Sequence, residues 1–322
     1  MPGSVYTSAL DAIGATPLVA LDRLTADIDG RILGKLEYLN PGFSKKDRIA
    51  RQIVEDAESS GDLRPGQTIV ELTSGNTGTG LAIVCAIKGY PFVAVMSRGN
   101  SIERARMMAG LGAEVVLVEQ APASIPGKVS GADIARVEER AREIVATRNA
   151  FRADQFALRS NSSAHHLHTA SEIVQQTGGK FEGFCDFVGS GGSFAGCSSR
   201  FKEHDADIRC YVVEPSTAAV LAGRTVEDSQ HPIQGGGYSM PSLTQLRGAK
   251  IDGFVQVTGK EAITYARRLA TKEGIFAGFS AGANVAAAVQ LLSGELRGKT
   301  IVVLLCDSGL KYLSTELWPA PS

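Results

Sequence analysis

Short apolar, β-branched runs alternate along the chain with longer segments whose apolar residues recur three and four apart. Residues 68–72, 92–96, 114–118, 184–188, 209–213 and 300–306 read as strands; 76–88, 101–111, 131–145, 164–176, 260–272 and 282–292 read as helices. Strand, helix, strand in this order predicts βαβ units and mostly parallel sheets covered on both faces. Glycines gather where the strands end, at 75, 78 and 80, at 189, 191, 192 and 196, and at 235–237. Open α/β sheets bind ligands beyond the carboxyl ends of their strands, so function is expected at these clusters. Residues 121–151, rich in Pro, Gly, Ser and charge at their start, separate the first two clusters and suggest two sheets facing a shared cleft.

A length of 322 residues suits two domains of about 150 residues each. With 43% hydrophobic and 21% charged residues the composition is that of a folded protein and excludes a disordered or collagen-like chain. A formal net charge of −1 gives no electrostatic reason to expect nucleic acid or an anionic membrane as partner. The apolar run 301–306 is far short of the roughly 20 residues that span a bilayer, and residues 1–18 lack the basic and apolar regions of a secretory leader, so a cytoplasmic location is expected. Five widely spaced cysteines without a C-x-x-C suggest buried thiols, neither a disulfide framework nor a zinc site. His165, His166 and His168 have no Cys, Asp or Glu at ligand spacing, and no metal is expected.

Three segments carry candidate chemistry. Gly189-Ser190-Gly191-Gly192-Ser193 follows a strand and precedes a helical run, so its amides can converge on a phosphate at the positive end of a helix. A dinucleotide fingerprint would need glycine where Phe194 stands, and a Walker A loop ending at Gly298-Lys299-Thr300 would need one at Ser293. Glu71 to Gly78, ELTSGNTG, also ends a strand and opens a helix, and its hydroxyls, amide side chain and N–H groups suit a carboxylate. The turn Asn40 to Arg48, NPGFSKKDR, sets Lys45 and Lys46 before a helix from residue 49. A lysine there is disfavoured as a cation, and a neutral lysine attacks carbonyls; a solvated basic turn fits these residues equally well.

In order and spacing, NPxxSxKDR, TSGNTG, Gln155-Phe156 with Asn161 and His165, GSGGS, VEP (213–215), IQG (233–235), EGIFAG (273–278) and the closing DSGLKYLST (307–315) together resemble the cysteine synthase (O-acetylserine sulfhydrylase)/cystathionine β-synthase family of fold type II pyridoxal-phosphate enzymes. The resemblance covers nearly the whole chain. It implies an α/β fold like the tryptophan synthase β subunit, with two open, mostly parallel-sheet αβα domains facing a cofactor cleft. The smaller, mobile domain would be 41–155, with the substrate-carboxylate loop, and the larger 1–40 plus 156–322, with the phosphate loop. Pyridoxal 5'-phosphate would be carried on Lys46, the catalytic lysine, with Asn76 at the ring hydroxyl, Gly189, Ser190, Gly191, Gly192 and Ser193 at the phosphate, and Ser308 at the pyridine nitrogen. A serine at that nitrogen leaves it largely unprotonated, which favours β-elimination over transamination. Thr73, Ser74, Gly75, Thr77 and Gln155 would hold the substrate carboxylate.

The implied activity is β-replacement on an activated serine such as O-acetylserine, via an aminoacrylate, giving cysteine or a related β-substituted alanine in a homodimer. The alternative is a serine/threonine dehydratase or cysteine desulfhydrase; Asp47-Arg48 and a phosphate loop without four glycines in a row argue against it. A binding protein that kept the fold and lost the chemistry is opposed by Lys46 and the intact phosphate loop. Departures from the family gather at the expected cleft mouth: Phe43, 98–100, an extended 122–131, 157–160, Ser162 and His168. Lys45, Arg98 and Arg159 would add cations there, which predicts a nucleophile larger or more polar than sulfide.

Overall fold

In a computed structural model, residues 5–127, 129–229 and 231–319 are described. The strands are β1 (Leu18–Ala20), β2 (Arg31–Lys35), β3 (Ile69–Leu72), β4 (Phe92–Ser97), β5 (Glu114–Val118), β6 (Phe151–Arg152), β7 (Gly183–Phe187), β8 (Arg209–Pro215), β9 (Gly253–Val257) and β10 (Thr300–Leu304). They form two sheets, ordered β1-β2-β10-β7-β8-β9 and β5-β4-β3-β6, parallel throughout except for the β1–β2 pair. The helices are α1 (Lys46–Ser60), α2 (Asn76–Lys88), α3 (Ile102–Gly110), α4 (Gly131–Arg148), α5 (Ser160–Ala164), α6 (Ser171–Thr177), α7 (Gly192–His204), α8 (Gly259–Glu273) and α9 (Phe279–Leu292); a π-helical turn, His165–Ala170, joins α5 to α6.

Each sheet is buried on both faces, which is why its strands read as continuous apolar runs. Side chains alternate between faces along a strand, so Cys185, Phe187, Tyr211, Val213, Ile301 and Val303 pack with α8 and α9, while Phe184, Cys210, Val212, Val302 and Leu304 pack with α6 and α7. In the smaller sheet Ile69, Phe92, Ala94 and Met96 meet α1 and α2, and Val70, Leu72, Val93 and Val95 meet α4. The α/β class and parallel sheets expected from the sequence are those of the molecule. All five cysteines are buried, free thiols. Among the described residues no helix is long and apolar enough to cross a membrane.

Several boundaries differ from the sequence reading. The first long helix starts at Lys46, earlier than residue 49, so Lys46 itself occupies the helix's first turn. Strands β1, β2, β6 and β9 lie outside the predicted set: β1 and β6 have only three and two residues, and β2 carries Gly34 and ends on Lys35.

Candidate functional site

The Asn40–Arg48 turn is fastened from both sides. Asp47 accepts a hydrogen bond from the Gly42 amide at 2.5 Å. Arg48 donates to Glu37 at 2.7 Å and to Glu172 at 2.7 Å, tying the start of α1 to the β2 end and to α6. Lys35 completes this buried cluster through Glu172 at 2.7 Å. The Lys46 side chain, thus positioned, lines a small cavity together with Lys45, Asn76, Gly189, Ser190, Gly191, Ser193, Gln234 and Ser280. Burial first, and then the Lys45 charge, push the Lys46 amine down to about 8. About half of it is neutral at pH 8, against well under about 1% for an ordinary lysine.

The adjoining cavity is larger, about 490 Å³, and its walls include Thr73, Ser74, Phe156, Gln234, Gly235 and Tyr238. Thr73 shapes the loop after β3 by accepting from the Gly75 and Gly78 amides, each at 2.9 Å. Gly75, at φ 124°, gives the turn a backbone conformation that other residues rarely adopt, and a Cβ there would overlap Arg104. Ser74 and Tyr238 both line this cavity. Thr77 and Gln155, expected beside the same carboxylate, instead lie behind the loop. Thr77 donates to Gln155 at 2.8 Å, and Gln155 donates to Glu71 at 3.1 Å; neither lines the cavity. Burial pushes Glu71 up to about 8 against the pull of Arg152. Ser74→Ala should therefore raise the apparent KM for an amino-acid donor about tenfold to a hundredfold, the worth of a hydrogen bond to a charged group of about 1.5–3 kcal/mol. Gln155→Ala, acting through the loop's shape, should raise it less. Steady-state kinetics on both variants check the order.

The Gly189–Ser193 loop opens α7, whose first amides have no partner within the helix. Gly191 adopts φ 86°. Asn161 donates to the Ser190 hydroxyl at 2.8 Å and to the Gln155 carbonyl at 2.7 Å, tying this loop to the segment behind the other. Asn76 lines the small cavity beside Lys46; its amide donates to Asp307 at 2.6 Å and accepts from Lys311 at 2.7 Å.

The structure does not bring Ser308 to this site. Its hydroxyl caps the 3-10 turn Gly309–Tyr312, accepting from Leu310 at 3.2 Å, and its backbone forms a bridge with Ala277. Outside the Gly189–Ser193 loop, the serine that lines the cavity with Lys46 is Ser280, in the first turn of α9.

The three cations expected at the cleft mouth are also dispersed. Lys45 is buried and bonded to Asp186 at 2.9 Å; Arg98 pairs with Glu119 on the surface at 2.5 Å; Arg159 is exposed before α5 and is not among the cavity walls. Sequence proximity to the motifs did not fix where these side chains point. The histidines also diverge, His165 to Thr169 at 3.0 Å and His166 to Glu203 at 2.9 Å. Asp186, Ser280, Tyr238 and Asn284 belong to the site's surroundings without any motif that marks them.

Residues 9–307 match the family model described as "Pyridoxal-phosphate dependent enzyme". A cysteine synthase from Staphylococcus aureus is 39% identical over 307 residues, covering 95% of each chain. Among solved structures, a cysteine synthase from Entamoeba histolytica superposes with a TM-score of 0.89 at 34% identity, covering 100% of this chain and 93% of that one. An O-ureido-L-serine synthase superposes with a TM-score of 0.87 at 38% identity, covering 98% and 95%.

Proposed function

Because the chain belongs to the family of pyridoxal-phosphate dependent enzymes, we propose that Lys46 is the residue on which it carries its cofactor, with the phosphate on the Gly189–Ser193 loop. The chain is a pyridoxal-phosphate-dependent β-replacement enzyme of the cysteine synthase type, acting on an activated serine such as O-acetylserine. The observation that carries the site assignment is the cavity shared by Lys46, the phosphate-loop glycines, Asn76 and Ser280, which has the walls Gln234 and Gly235 in common with the larger cavity that Thr73 and Ser74 line. These residues fit the cofactor: a weakly basic amine for its aldehyde, a cradle of glycines at a helix N-terminus for its phosphate, and two polar side chains for its ring.

When bound, the cofactor supplies an electron sink that acidifies the donor's α-proton and lets its β-substituent leave. Lys46 takes that proton at the donor's Cα. The Ser74 hydroxyl and the Ser74 and Asn76 amides hold the donor carboxylate, with Thr77 and Gln155 bracing the loop from behind. Ser280, in place of Ser308, faces the ring nitrogen; a neutral hydroxyl there keeps the nitrogen unprotonated and favours loss of the β-substituent. The incoming group is a sulfur nucleophile, sulfide by likeness to the cysteine synthases. Residues 41–155, which carry the smaller sheet, are the unit that closes over the donor. We place the enzyme in the cytoplasm as a homodimer.

Borohydride reduction of the purified protein, followed by peptide mapping, is expected to find the phosphopyridoxyl group on Lys46. Incubation with O-acetylserine and sulfide is expected to give cysteine and acetate. A label on Lys45 overturns the assignment of Lys46, and pyruvate as the main product overturns β-replacement.

A further inference from the structure

A second lysine lies beneath the phosphate loop. The Lys45 ammonium, almost fully buried, donates to both carboxylate oxygens of Asp186, at 2.9 and 3.1 Å, and to the Ser193 hydroxyl at 2.8 Å. Ser193 in turn donates to Asp186. Asp186 sits on β7 and Ser193 in the first turn of α7, so this triad spans the loop that connects them. Asn284 of α9 donates to Asp186 at 3.3 Å and to the Leu304 carbonyl at 2.8 Å, holding the carboxylate from below. A buried ion pair seldom stabilises a fold more than apolar side chains of the same volume would, so its placement calls for another role. Lys45 and Ser193 line the cavity that also contains Lys46, and Asp186 holds both from behind.

We propose that Lys45, clamped by Asp186, is a positioning residue of the cofactor site: it fixes the Ser193 hydroxyl in the phosphate loop and sets a permanent positive charge beside the Lys46 amine. With its oxygen held by Lys45, Ser193 can turn its proton from Asp186 to a phosphate oxygen, and the cation beneath favours the dianion. Burial lowers the Lys46 amine most, and the same charge adds to that lowering. Burial opposes the Lys45 charge, but the Asp186 carboxylate outweighs it and holds Lys45 protonated. The charged and titratable groups acting on Lys46 are Lys45, Asp186, Cys306 and Glu71; of these only Lys45 lowers its pKa.

The inference rests on Lys46 as the cofactor lysine, which the borohydride map decides on the wild type alone. Lys45→Met by itself strands a buried carboxylate, so the test is the double variant Lys45→Met/Asp186→Asn, checked for folding by thermal unfolding. Cofactor-free protein prepared from the holoenzyme is titrated with pyridoxal phosphate and with pyridoxal, and the pH dependence of Lys46 labelling by an amine reagent is read by peptide mass. We expect pyridoxal-phosphate affinity to fall at least tenfold, pyridoxal affinity to change less than threefold, and the Lys46 labelling midpoint to rise. A folded double variant that keeps the wild-type preference for the phosphorylated form, or whose Lys46 labels as in the wild type, overturns the proposal. A wild-type Lys46 that labels with the midpoint of an ordinary lysine overturns it too, even if the variant does not fold.

Discussion

Lys46→Ala should lose at least about a thousandfold in β-replacement turnover while still binding pyridoxal phosphate, because under the proposed assignment it removes the base and the covalent anchor but leaves the phosphate loop in place. A positioned general base alone contributes about 10²–10⁴-fold. The bound cofactor in this variant should wash out on dialysis and leave no label after borohydride. A companion expectation concerns the wild type. Attack on the cofactor's aldehyde needs the neutral amine, and Lys46 is held down to about 8 by burial and Lys45. The rate of cofactor loading into cofactor-free protein should therefore climb with pH up to about 8 and then level off, whereas an ordinary lysine would keep gaining to about 10.4. Stopped-flow absorbance against pH measures this. A Lys46→Ala enzyme with near-normal turnover would remove Lys46 from the chemistry.

The parts of this site legible in the sequence are those built from backbone. TSGNTG and GSGGS each join a strand to a helix, and the need for amides and hydroxyls at that junction appears directly as glycine, serine and threonine. Side chains that reach the site across the fold left no such mark. Ser308 and Ser280 illustrate the difference. The bridge between Ala277 and Ser308 brings the two segments side by side, so either serine could have faced Lys46. The capping bond from Leu310 engages Ser308, and the first turn of α9 presents Ser280. Lys45 follows the same logic. In the sequence it adjoins a basic turn, but its partner Asp186 lies 141 residues away on β7, and only the sheet order places that carboxylate beneath the turn. The strands outside the prediction are similar: β1 and β9 are the edges of the larger sheet, with three and five residues, and their pairing depends on neighbours that local pattern does not contain.

Gly192→Val should purify nearly colourless, through a collision that lies on the protein side of the loop. The backbone at Gly192 is not in the left-handed region, so conformation alone would admit valine. Space does not: a Cβ on Gly192 would fall within the side-chain amide of Asn161, which is fully buried. Asn161 cannot retreat without breaking its bonds to the Ser190 hydroxyl and the Gln155 carbonyl. One of these orders the phosphate loop, and the other fixes the residue that braces the carboxylate loop. Overpacking costs about 1–3 kcal/mol, and leaving a buried polar group unpaired costs about 1–3 kcal/mol more. We expect cofactor affinity to drop at least a hundredfold and the melting temperature to fall. The control is Gly192→Ala/Asn161→Ala, which restores room but not the two hydrogen bonds: it should regain most of the melting temperature and much less of the cofactor affinity. If the loop served only as a spacer, the double variant would recover both together. A folded Gly192→Val protein with normal cofactor content would show that this glycine is dispensable to the site.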